Sequence, residues 1–205
     1  NKIFSFHINV RPETLPELAK KYPVLQHLAQ LDLAVMNGPL NAVPYQINDV
    51  CYKMLKRMFT CRYIELQAEC YLYRLCVDLY MNFAVQDTQF RLSRGTRGQQ
   101  QNDMMRRIFG FIESNIRHPF TMKELAARFN MTEAALNEDF ESTYSTSLSD
   151  YILQQRMYNV YEMMLRTKGS LSSIAWRTGY PNRRAMVADF IPYFEHDPVR
   201  IRNAQ

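Results

Sequence analysis

The chain has 205 residues, 47% of them hydrophobic and 22% charged, with a formal net charge of +5. That balance fits one or two globular domains and excludes a disordered majority. No apolar run approaches the roughly 20 residues of a membrane helix and no signal-peptide pattern is present, so a soluble, cytoplasmic protein with no membrane partner is expected, and the opening residue, Asn1, suggests a piece of a longer protein with a domain upstream.

Taken in chain order, "IFSFHINV" (3–10) alternates like a half-buried strand. "ETLPELAKKYPVLQHLAQLD" reads as a helix or two, interrupted by Pro16 and Pro23. After a stretch punctuated by Gly, Pro and Asn (37–46), "INDVCYKMLKRMF" and "YIELQAECYLYRLCVDLYMNFAVQ" are strongly helical. The second, over 63–86, carries Leu72, Leu75, Leu79 and Phe83 among several tyrosines, an apolar surface wider than one stripe. Such a helix must be covered, either by its own domain or by a second copy of the chain.

Cys51, Cys61, Cys70 and Cys76 lack Cys-x-x-Cys spacing and the four histidines are scattered. Reduced core thiols are expected, with no metal site and no cofactor. "DTQFRLSRGTRGQQQ" (87–101) turns polar and holds Gly95 and Gly98 beside Arg91, Arg94 and Arg97; it predicts the linker between two halves, residues 1–86 and 102–205.

From Asn102 onward the pattern is a series of helices. Thr121-Met122-Lys123-Glu124 has the form of a capping box, in which the Thr hydroxyl and the Glu carboxylate satisfy free amides at a helix start. "LAARFNMTEAALNEDF" (125–140) and "IAWRTGYPNRRAMVADF" (174–190) then repeat one unit about 50 residues apart. Each has aliphatic-Ala-x-Arg, a turn at Asn130 or Gly179, an N-cap at Thr132 or Asn182, and a helix in which Leu136 and Phe140, or Met186 and Phe190, share a face. Two helices joined by so short a turn form a helix-turn-helix, whose second helix can enter a DNA major groove. Between the units a helix from about Leu148 to Thr167 is about 30 Å long, near the roughly 34 Å of a DNA turn, so one chain can address successive grooves.

These residues resemble the AraC/XylS family of bacterial transcription regulators. The carriers are "ELAARFNMTEAALNEDF", the connecting "YILQQRMYNVYEMML" with Arg156, "SIAWRTGY" leading to Phe190, and "YFEHDPVRIR" with Pro198 and Arg202. The resemblance implies a mainly α chain: a seven-helix, tandem helix-turn-helix domain over 102–205 that binds promoter DNA, preceded over 1–86 by a mostly helical regulatory or dimerisation segment. It implies no enzyme, and no catalytic motif is visible. The expected partners are double-stranded promoter DNA, a second copy through residues 47–86, and RNA polymerase. The chain departs from the family pattern at Glu138 and Ala188, where Arg is common, at Glu141, and at Ser145 and Glu195, where glycine is usual. Pro192 stands inside the second recognition helix, where it removes the bond to the Ala188 carbonyl at a cost of about 3 kcal/mol.

Charge divides the two units. In 121–145, Lys123 and Arg128 face Glu124, Glu133, Glu138, Asp139 and Glu141, a net of −3. From 146 to 205, eight basic residues face five acidic ones, a net of +3. Phosphate attraction dominates nonspecific affinity, so DNA contact is expected mainly from the second unit. The candidate DNA-contacting residues are Asn182, Arg183, Arg184, Val187, Ala188, Trp176 and Arg177 in the second unit, and Thr132, Ala134, Asn137 and Glu138 in the first. Arg183 and Arg184 suit guanine, Asn137 suits adenine, and Glu138 can accept from a cytosine amine. Trp176 fits either core packing or backbone contact. Arg156 is read as structural, paired with a carboxylate. The rival is a degenerate member acting by protein contact, favoured by the acidic first unit and Pro192.

Overall fold

The structure is a computed structural model that describes residues 10–31, 45, 47–92 and 99–204. The strand expected over 3–10 and the punctuated stretch 37–46 fall almost wholly outside the described residues. Among those described, the chain is helical, with no strand.

The N-terminal half begins with two short helices, α1 (Leu15–Lys21) and α2 (Gln26–Ala29). Pro16 falls in the first turn of α1 and Pro23 opens the 3-10 turn before α2, positions whose missing N–H costs nothing. Helix α3 (Asp49–Phe59) starts at Asn48, whose side chain accepts from the Cys51 amide, and α4 (Glu65–Leu92) is the longest in the chain at 28 residues. It continues unbroken through Leu92, so helix occupies the first six residues of the linker expected over 87–101. Polar composition there reflects a solvated helix end with Thr88 and Phe90 exposed, not a chain break.

Seven helices follow: α5 (Gln99–Ser114), α6 (Met122–Arg128), α7 (Glu133–Tyr144), α8 (Leu148–Arg166), α9 (Leu171–Arg177), α10 (Arg183–Phe194) and α11 (Pro198–Asn203). The capping box is present at α6, with Thr121 and Glu124 bonding each other's backbone amides. Helix α8 has 19 residues and is the axis of the domain; Tyr151, Met157, Tyr158, Val160 and Tyr161 on it are fully buried.

The two halves share one core. Val50, Met54, Tyr71 and Leu75 from α3 and α4 pack in the same cluster as Tyr158, Phe190 and Ile201. The ring of Tyr71 meets those of Tyr158 and Tyr161 at centroid distances of 5.5 and 5.1 Å. Most of the broad apolar surface of α4 is therefore covered from within the chain.

Candidate nucleic-acid interface

Each repeat builds a short helix, a turn and a 12-residue helix, and the two match element by element, with one residue more in the second unit's turn. Helices α6 and α9 both have seven residues. Asn130 and Gly179 follow with φ of 53° and 86°, and the next amide closes the turn identically, Met131 to Ala126 and Tyr180 to Ala175, both at 2.9 Å. At Gly179 a Cβ would lie 2.7 Å from the Arg117 carbonyl oxygen, so this turn needs glycine for space as well as for conformation. Thr132 accepts from the Ala135 amide and Asn182 from the Ala185 amide, so both candidate residues are N-caps. Leu136 and Phe140 are buried at the positions Met186 and Phe190 occupy in the second unit.

Both long helices end on left-handed residues, Ser145 at φ 56° and Glu195 at φ 62°. These are the two places where glycine was the expected residue, and the backbone adopts the glycine-like conformation regardless. Pro192 is accommodated too. It lies three residues from the end of α10 on the exposed side, so the helix runs through to Phe194 and the unpaired Ala188 carbonyl belongs to an exposed residue.

The outward faces carry the remaining candidates. On α10, Arg183, Arg184 and Ala188 are exposed, while Val187 is half-buried and packs against the core. On α7, Glu133, Ala134 and Glu138 are exposed. Asn137 is half-buried and its side-chain oxygen accepts from the Leu148 amide at 3.3 Å. That bond uses one of the two lone pairs of the Asn137 oxygen and ties it to the start of α8. Trp176 is 78% exposed, which removes the core-packing alternative, and Arg177 beside it is exposed as well. Ser172 and Ser173 are exposed one turn before them on α9.

Arg156 ties α8 to the segment between α5 and α6, by a bond to a carbonyl and not to the carboxylate expected. Its guanidinium donates to the His118 carbonyl at 3.0 Å, and burial pulls its pKa down from the ordinary arginine range. Arg202 does similar work at the domain's end, donating to the Met164 and Gly169 carbonyls at 3.1 and 2.9 Å.

Helix α4 braces both units. Asn82 donates to the Tyr144 and Ser145 carbonyls at 2.6 and 3.1 Å, satisfying the C-terminal end of α7. One turn earlier, Asp78 accepts from Tyr158 at 2.5 Å and from Tyr193 at 2.6 Å, and pairs with Arg74 on its own helix. Burial, reinforced by the Asp78 charge, pushes both phenols well above their usual pKa. Further back, Gln67 donates to the Ala204 carbonyl at 2.7 Å. One rigid element thus touches the ends of α7, α10 and α11.

This arrangement defines a tandem helix-turn-helix domain. Residues 125–204 match the family model described as a helix-turn-helix domain. An uncharacterised HTH-type transcriptional regulator of Escherichia coli, YdiP, is 25% identical over 115 residues, 56% of this chain and 36% of its own. The lactose operon transcription activator of Staphylococcus xylosus is 24% identical over 94 residues, 46% of this chain and 34% of its own. The matched segment thus spans about a third of the length of each of these two relatives. Among solved structures, the C-terminal domain of the response regulator yesN from Fusobacterium nucleatum has a TM-score of 0.48 at 22% identity, covering 49% of this chain and 99% of that one. Through residues 125–204 the chain carries a helix-turn-helix domain similar to those of these transcription regulators. No helix among the described residues is long and apolar enough to cross a membrane.

Proposed function

We propose that this chain is a non-enzymatic, cytoplasmic transcription regulator that binds promoter DNA through both helix-turn-helix units, mainly the second. The observation that carries the reading is the pair of matched recognition helices at the two ends of α8. At 19 residues that helix is about 28 Å long, close to the roughly 34 Å between successive major grooves on one face of DNA. Arg183 and Arg184 project from the first turn of α10, the end that meets base edges in this motif. Asn182, Val187, Ala188, Trp176 and Arg177 complete the second unit's contact set. Thr132, Ala134, Asn137 and Glu138 form the first unit's.

A duplex recovered by selecting bound fragments from genomic DNA, titrated by fluorescence anisotropy at two salt concentrations, tests this. The parent should weaken steeply with salt. Replacing Arg183 and Arg184 by Ala should cost about 1–3 kcal/mol for each that reads a base, and flatten the salt dependence for each that meets phosphate. Glu138→Arg should tighten binding by removing a negative charge beside the backbone. No binding by either protein at low salt would overturn the reading in favour of a role in protein contact alone.

The second copy expected through residues 47–86 would meet the outer side of that segment. Tyr52 and Phe59 stand seven residues apart on one face of α3 and each is 64% exposed, with Ile64 at 63%. Phe59→Glu should lower the mass seen by light scattering at tens of micromolar from two chains to one, and a monomeric parent would end the proposal. RNA polymerase is the further partner of such a regulator, reached once the DNA is bound.

A further inference from the structure

A cavity of about 550 Å³ lies where the N-terminal half meets both helix-turn-helix units. Its size falls within the range of small-molecule sites. The walls come from every part of the molecule at once. Tyr22 belongs to the segment after α1, Met54 to α3, Met81 and Val85 to α4, Ser145 to the end of α7, and Tyr193 to α10.

The floor has a specific deficiency. Arg74 is 6% exposed, and although its two terminal nitrogens serve Tyr22 and Asp78, its Nε–H has no acceptor. Gln154, 8% exposed, donates its amide only to the Met54 thioether at 3.6 Å, a weak acceptor. Leaving a buried donor unmet is costly, and here the Arg74 Nε–H has no acceptor and the Gln154 amide only a weak one, both lining one apolar-walled cavity. The charged side chains nearer the surface are mostly acidic: Glu141, Asp150 and Asp189 line the cavity, while Lys21 is paired with Glu195.

We propose that this cavity binds a small neutral molecule with an apolar or aromatic body and a carbonyl oxygen, the oxygen accepting from Arg74 and Gln154. A carboxylate would supply the acceptor but meet the three acids; a simple amine would suit the acids, leave the Arg74 Nε–H unmet and leave Gln154 with its weak acceptor. Because the cavity touches α7's end and α10 together, a bound molecule also fixes their relative placement and changes DNA affinity. That last step rests on the function proposed above, whereas binding itself does not.

The full chain, labelled at its methionine methyls, is titrated with three probes sharing one body: phenylpropanamide, phenylpropanoate and phenylpropylamine. The amide should shift the Met54 and Met81 signals saturably and leave Met122 and Met131 in place, and the other two should not. Gln154→Met should weaken the amide about tenfold, the worth of one hydrogen bond. Val85→Phe should abolish binding by filling the space. No saturable shift with the amide overturns the site; equal binding by the carboxylate overturns the ligand class. The wild-type series decides both points even where a variant fails to fold. Intact methyl shifts in a chain that binds no DNA would sink the regulator reading and support the site.

Discussion

At Asn130, Ser145, Gly179 and Glu195 the backbone turns left-handed, a conformation that costs an ordinary L-residue about 1–2 kcal/mol. Only Gly179 also lacks room for a side chain. Gly179→Ala is therefore expected to lose that conformational cost and more, because the Arg117 carbonyl must move, and a thermal melt should show it. Glu195→Gly should behave oppositely. It relieves the strain while giving up a half-exposed ion pair with Lys21, worth at most about 1 kcal/mol, so the melt should be unchanged or higher. The turn residues were legible in the sequence because tolerance of this conformation is a property of residue type. The bond between Asn137 and the Leu148 amide was not, because Leu148 lies eleven residues away and beyond the end of that helix.

Among the elements, the paired helix-turn-helix units could be read directly, since their N-caps, turns and i, i+4 apolar pairs are all local. Helix α4 was legible only in part. Its apolar circumference required a cover, and nothing in its own residues says whether that cover is its own chain. The polar residues that matter most on it, Asp78 and Asn82, are spaced like ordinary helix-surface residues, and their partners stand 62 to 115 positions later. Asp78→Asn should test what they do. It leaves Arg74 buried with no ion-pair partner and takes the charge from the acceptor of two phenols, so a loss of about 3–5 kcal/mol in chemical denaturation is expected. Tyr193→Phe removes one hydrogen bond from the same point and should cost about 1 kcal/mol. If both variants match the parent, α4 touches the two units without bracing them.

For the whole molecule, composition divides the chain where packing does not. The polar stretch after residue 86 marks a change of sequence character, yet Val50, Met54, Tyr71 and Leu75 before it are buried in one cluster with α8, α10 and α11 after it. Composition reports solvent exposure along the chain and is silent on which distant surfaces meet, so the change of character was visible and the shared core was not. The consequence is a prediction about the isolated fragment 102–205. Removing the N-terminal half uncovers Tyr158, Tyr161 and Tyr193 and takes Asp78 away from two of their hydroxyls. Each large apolar side chain withdrawn from that interface forfeits about 1.5–3 kcal/mol of burial. Four of them approach the roughly 5–15 kcal/mol that holds a typical domain together. The fragment should keep its helical circular dichroism, since its caps and turns are local, but melt well below the whole chain and bind a hydrophobic dye. A longer fragment, 47–205, restores α3 and α4 and should recover most of the lost stability. Should 102–205 instead melt with the full chain's midpoint and cooperativity, the tandem domain is self-sufficient, and the buried Asp78 cluster serves the placement of α4 and not the stability of the units it touches.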